Sequence, residues 1–252
     1  MSTSASLRAS RAVPAGGAPA YARIAGVLYL IIIAAGVYAE LFVRERLIGP
    51  DAAVTAANII AHASQYRFGI IADLSTFVLA IPLTVIFYVL LKPVSKDLAL
   101  LTVLLNVVQD AIGGMNALNT YRPLQLLGSA SYLKAFNREQ LEAMALLSLK
   151  AHTIGFGIAL LFFGVCCTIL GYLIYKSGFL PRVLGILLAI AGCCYVVNSV
   201  AEILSPHTAT MLVPWILMPA FIGELSLALW LAVKGVDAIR WEERVQMSSG
   251  TE

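Results

Sequence analysis

IAGVLYLIIIAAGVYAELFV, residues 24–43, is a run of 20 residues broken by a single charge, Glu40, and flanked by Arg23 and Arg44. A helix rising 1.5 Å per residue needs about 20 such residues to cross a hydrocarbon layer about 30 Å thick. The run follows a basic residue and holds the small Ala34, Ala35 and Ala39, as a cleaved leader would. It is longer than the roughly 7–15 residues of a leader's apolar region, which favours an uncleaved first span. Five further stretches qualify on the same measure: 67–91, 98–118, 153–175, 182–204 and 211–233.

Composition agrees with this reading. Apolar residues make up 60% of the 252 and charged ones 12%, with a mean hydropathy of +0.87; soluble domains carry about 25% charge. An open sheet cannot stand in for the spans, because lipid leaves its edge N–H and C=O groups unpaired. The expected fold class is therefore all-α, a polytopic membrane helix bundle with six transmembrane helices and short interfacial helices in the outer connections. The lipid bilayer is its first partner. The net charge is +3, but the Lys and Arg residues stand between apolar runs and form no patch, which argues against nucleic acid.

The connections 44–66 and 119–152 are long, whereas 92–97, 176–181 and 205–210 are short and imply helical hairpins. Pro93 and the Ser177–Pro181 stretch supply the breaks. In the long connections, Asp51 is placed to cap a helix over 52–64, and Asn137 one that begins at Arg138 and runs toward the fourth span. The Ser/Ala/Gly/Pro-rich residues 1–20 read as a disordered tail, 21–236 as a six-helix transmembrane domain and 237–252 as a second tail, helical or disordered. Ten Lys and Arg residues fall on the side of the N-terminus and seven on the other. Both short basic turns lie on the N-terminal side. The bias places both termini of this multi-pass protein in the cytoplasm, with a plasma membrane as the expected location.

Several stretches together resemble one bacterial family of unknown function, the domain-of-unknown-function family numbered 4386. They are Ala22-Arg23-Ile24-Ala25-Gly26-Val27-Leu28-Tyr29-Leu30, then Ala39-Glu40 and Phe42-Val43-Arg44, then Tyr66-Arg67-Phe68-Gly69 with Asp73. Further on come Ser177-Gly178-Phe179-Leu180-Pro181-Arg182-Val183-Leu184-Gly185, Gly192 with Tyr195, and Glu224 with Trp230-Leu231-Ala232-Val233-Lys234-Gly235-Val236. The resemblance implies a multi-helix membrane protein without an assigned reaction, and it carries no catalytic residue across.

Polar residues inside the spans are the main functional signal, since a charged side chain at the centre of a bilayer costs about 2.5–3.5 kcal/mol on insertion scales. Glu40, Arg67, Asp73, Asp110, Asn116, His152, Asn198 and Glu202 all fall in the outer half of their spans. Glu224 and Asn106 fall near the midplane and are expected to share a hydrogen bond. Asn106, Gln109 and Asp110 lie on one face of the third span, Asn198 and Glu202 with Cys194 on one face of the fifth, and Gly69, Asp73 and Thr76 on one face of the second. Three stripes at similar depth point to a shared outward-facing cavity. The competing reading is that such groups hold helices together, and that Glu40, Arg44 and Arg67 are ordinary interfacial anchors or ion pairs. Pro214 and Pro219 are placed to kink the sixth span near Glu224.

No metal site or cofactor is expected. His152 is the one histidine near a span, and there is no HExxH. It is either an interfacial histidine or a proton-handling group. The vicinal pairs Cys166-Cys167 and Cys193-Cys194 would face each other if the intervening turn centres near Phe179. A soft ion such as Cu(I) would then fit, but close packing of small residues (Cys167 with Gly171, and Gly185 with Ala189 and Cys193) is the simpler account. Three functions remain in competition. The first is binding or moving a small molecule, lipid group or proton through the polar cavity. The second is a non-catalytic scaffold or accessory subunit. The third is an intramembrane enzyme acting on lipid, which lacks a recognisable nucleophile or metal triad.

Overall fold

Six long helices follow one another around a closed ring in the computed structural model, which describes residues 17–213 and 215–249. Among these residues there are helices and turns and no strand. Helix α1 (Gly17–Val37) runs without a break through a π-helical stretch, Tyr38–Arg44, into α2 (Glu45–Leu47), giving a 31-residue first span. It begins inside the stretch read as a tail. Residues 1–16 lie outside the described residues.

After α2 come α3 (Ala52–Ala61), α4 (Ala63–Leu91) and α5 (Lys96–Leu126). The Asp51 side chain accepts from the N–H of Val54 at 2.8 Å and starts α3 as expected. Asn137 does the same for α6 (Arg138–Ser177), through a capping box with Gln140. The helix it starts is not a separate interfacial piece. It continues for 40 residues into the fourth span, about 60 Å at 1.5 Å per residue, which is about twice the hydrocarbon thickness of a bilayer.

Helix α6 turns back into α7 (Arg182–Leu204) at Gly178, whose φ of +80° is a left-handed helix cap that glycine adopts without strain. The two helices then touch backbone to backbone. A Cβ at Gly171 would lie 2.5 Å from the carbonyl oxygen of Gly185, and one at Gly192 would lie 2.4 Å from that of Gly164. This register corrects the expectation for the cysteines. Cys166 and Cys167 are buried while Cys193 is exposed, and Gly192 takes the interfacial place proposed for Cys193. The two pairs do not meet.

The sixth span departs from a continuous helix over 211–233. A short α8 (Pro206–Leu212) is followed by a break and then by α9 (Leu217–Val233), with Pro219 in the first turn, where a missing N–H costs little. Pro214 lies outside the described residues. Gly235, at φ +72°, reverses the chain into α10 (Ala238–Ser249), bent 101° from α9. The tail is thus a docked helix: Trp241 is 4% exposed, and its Nε1–H donates to the Leu90 carbonyl at 3.0 Å.

In ring order the helices are α1, α4, α5, α6, α7 and α9, with α9 closing on α1. A Cβ at Gly26 of α1 would lie 2.1 Å from the Ala232 nitrogen of α9, so this closure also needs glycine. The main core fills the ring toward the end that carries both termini, with Leu90, Leu91, Leu173, Ile174, Leu227 and Leu231 each about fully buried. That end is the terminal end below. The opposite end, with the connections after α2, α5 and α7, is the loop end. Among the described residues five helices are long and apolar enough to cross a membrane, and a sixth crossing is made if the bent pair α9–α10 is one span.

Candidate functional site

The polar side chains of the spans resolve into three clusters. The first lies at the loop end, where the π-helical stretch brings Glu40 and Arg44 onto the face toward α4. Arg44 Nε donates to Glu40 Oε2 at 2.6 Å, and its Nη1 donates to Asp73 Oδ2. The Arg44 and Asp73 side chains are each 14% exposed, against 51% for Glu40. The helices approach because Gly69 of α4 receives the Val43 side chain. Tyr66, two turns before Asp73, donates its hydroxyl to the Thr120 carbonyl of α5 at 2.6 Å.

On the far wall of this group, Asn116 of α5 reaches α6. Its Nδ2 donates to the His152 carbonyl at 2.8 Å and lies 3.0 Å from His152 Nδ1. Gly155 makes room for it, since a Cβ there would fall 2.4 Å from Asn116 Oδ1. Asn119 donates to Asn116 Oδ1, and Arg122 donates to Asn119 Oδ1. His152 is buried, with Arg44, Asp73 and Glu40 as its charged neighbours. Arg67 is exposed and joins none of these contacts.

The second group is smaller and lies deeper. Asn106 Nδ2 donates to Thr84 Oγ1 of α4 at 2.7 Å and to Asp110 Oδ2 at 2.9 Å. Asp110 Oδ1 is buried without a partner among the described residues. This geometry corrects the expected bond between Asn106 and Glu224, because Asn106 turns toward α4 and Glu224 is committed elsewhere.

Glu224 anchors the third group. It is 9% exposed on α9 and accepts a hydrogen bond at Oε1 from the Tyr195 hydroxyl of α7. The Tyr29 hydroxyl of α1 faces the same carboxyl. Phe163 of α6 packs on the Tyr195 ring at 5.6 Å between centroids. Farther along α7, Asn198 and Ser199 are buried, and Glu202 lies over Gly157 of α6.

Asp73, Glu40 and His152 therefore come together, as do Asn106 and Asp110, but the stripes are not one hydrogen-bonded set. Sequence reasoning missed Tyr29, Tyr195 and Thr84 as partners and read Arg44 as an interfacial anchor or half of an ion pair, of which the ion pair is what the structure shows. Tyrosines in apolar runs count as apolar in any hydropathy sum, so the only available signal was that Tyr29 and Tyr195 stand among the residues carrying the family resemblance. Those residues converge in space: Glu40, Arg44, Gly69 and Asp73 meet at the loop end, and Tyr29, Tyr195 and Glu224 meet deeper in the ring. Among the described residues no group of three or more His, Cys, Asp or Glu is placed to hold a metal ion.

Comparison with known proteins follows the same outline. The chain is 28% identical over 182 residues to an uncharacterised protein of Archaeoglobus fulgidus, an alignment that covers 72% of this chain and 93% of the relative. No solved structure matches. A model of the domain of unknown function DUF4386 matches residues 24–235, from the first span to the end of the last, and the chain belongs to that family.

Proposed function

We propose that the protein is a multi-pass membrane protein that binds a small molecule or lipid headgroup at the loop end, around Arg44, Glu40 and Asp73. The observation that carries this reading is the bridge Arg44 makes to two carboxylates from within a π-helical stretch. Short π-helical segments are rare and concentrate at functional sites. Packing alone would be served as well by an apolar contact, because a buried ion pair adds little net stability. Two carboxylates to one guanidinium leave a surplus negative charge, so the group that fits is cationic or amine-bearing. Glu40 is its exposed point of entry.

The basic residues around the terminal end support an orientation with both termini in the cytoplasm and the Arg44 group facing out, in a bacterial plasma membrane. A scaffold role is the second reading. It is favoured by the glycine contacts between α6 and α7 and by polar groups that pair with one another, such as Asn116 with His152.

Mass spectrometry of the protein released from lipid nanodiscs separates the two. Under the ligand reading the wild type retains an amine-bearing molecule or lipid that Glu40→Gln and Asp73→Asn lose. An empty wild-type protein, or equal retention by all three, leaves the scaffold.

A further inference from the structure

Beyond the loop-end group, α7 carries polar residues that the Arg44 site does not use. Tyr195, Asn198, Ser199 and Glu202 follow at i, i+3, i+4 and i+7, within about 100° of one face of the helix. The face looks into the wedge between α6 and α9. On the α9 side, Gly223 lies against Leu187 and Ala191, and on the α6 side Gly164 and Gly157 lie against Tyr195 and Glu202.

Two atoms on this face set it apart from ordinary packing. Asn198 Oδ1 and Ser199 Oγ are buried with no partner among the described residues, in residues that are 7% and 0% exposed. Protein interiors pair such atoms almost without exception, either with other protein groups or with ordered water. Their position is also informative. They stand about one turn from Tyr195, which donates to Glu224, and one turn from Glu202 on the other side.

We propose that this face of α7 is a proton-access column, in which water held by Asn198 and Ser199 carries protons between Glu202 at the loop end and Glu224 in the middle of α9. In the inward step the O–H bond of protonated Glu202 breaks, each water accepts one proton and releases another, and a new O–H bond forms on the Glu224 carboxyl. The reverse sequence returns the proton, and no electron changes hands. Tyr195 from α7, Tyr29 from α1 and Cys167 from α6 are the titratable groups that face Glu224. Glu202 has no charged partner among the described residues. Past Glu224 the column ends, because Leu227, Ala228 and Leu231 are fully buried in the core. Access is therefore from the loop end. The column does not depend on the ligand reading, since Arg44 bridges α1 and α4.

Infrared spectroscopy of the full chain in lipid nanodiscs tests the column. A carboxyl C=O band that Glu224→Gln removes is expected to shift promptly when H₂O is replaced by D₂O, and to shift far more slowly in the double variant Asn198→Leu, Ser199→Ala. If Glu224→Gln does not fold, Tyr195→Phe assigns the band by displacing it through loss of the hydrogen bond. A Glu224 band that does not exchange in the wild type, exchange in the double variant at the wild-type rate, or no Glu224 band at any pH each overturns the proposal.

Discussion

The two ends of one helix ring are built on opposite principles. Toward the terminal end, α6 and α7 meet at Gly171 and Gly185, and α1 meets α9 at Gly26, with backbones so close that no side chain fits between them. Toward the loop end, glycines serve a different purpose. Gly155 and Gly157 of α6 make room for Asn116 and Glu202, so polar side chains enter the ring there. The same residue type thus seals one end and opens the other. The difference lies in what stands opposite: backbone at the sealed end, a side chain at the other. Bilayers provide little hydrophobic drive between helices, so dispersion contacts at the sealed end and hydrogen bonds at the polar end each have to hold the ring together.

Mutations at the sealed end are expected to have the largest effect. Gly26→Val would drive a side chain into the Ala232 backbone; overpacking of this kind costs about 1–3 kcal/mol or more, and with no flexible side chain to yield, the yield of monodisperse protein is expected to collapse. Wild-type yield for Gly26→Val would show that ring closure does not need the backbone contact between α1 and α9.

Next comes the Arg44 bridge. Arg44→Met leaves Asp73 without its partner at 14% exposure, and breaking such a pair costs about 3–5 kcal/mol when it is well buried. A lower denaturation midpoint is expected, together with recovery of much of the loss in Arg44→Met, Asp73→Leu. A double variant as unstable as the single one would show that the bridge is not where the energy lies.

Smaller effects sharpen the division among the polar groups. Tyr195→Phe removes the donor to Glu224, and hydrogen bonds between membrane helices average about 0.6 kcal/mol, with a maximum near 1.7. Because Asn106 and Glu224 belong to separate groups, the losses in Asn106→Leu and Glu224→Gln are expected to add within about 0.3–0.5 kcal/mol. A larger coupling in thermal unfolding would revive the direct contact. Arg67→Gln, at an exposed position outside all three groups, is expected to change stability by less than about 0.5 kcal/mol.

Helix positions were legible because hydropathy is a local sum. The runs at 24–43, 67–91, 98–118, 153–175 and 182–204 all lie within observed helices, and Asp51 and Asn137 act as the caps their side chains suggest. Helix ends were less legible. The polar first turns of α6 do not differ in hydropathy from a separate surface helix, and the break before α9 depends on how α8 packs back on α7. Candidate residues were found as a set, since a carboxylate in an apolar run stands out by itself. Their pairing was not. Asn106 faces Thr84 rather than Glu224 because of the rotation of α5 about its own axis, and a stripe on one helix carries no record of which neighbour it meets.

Composition and the length of its apolar runs by themselves determined that this chain is a bundle of membrane helices, because burying backbone in hydrocarbon permits almost nothing else. Only the tertiary structure decided that α9 closes on α1, that Arg44 lies between two carboxylates, and that Tyr29 and Tyr195 meet at Glu224. Those outcomes depend on glycine contacts between residues as far apart as Gly26 and Ala232. Such contacts are set by the order of helices around the ring, and no local sum along the chain contains that order.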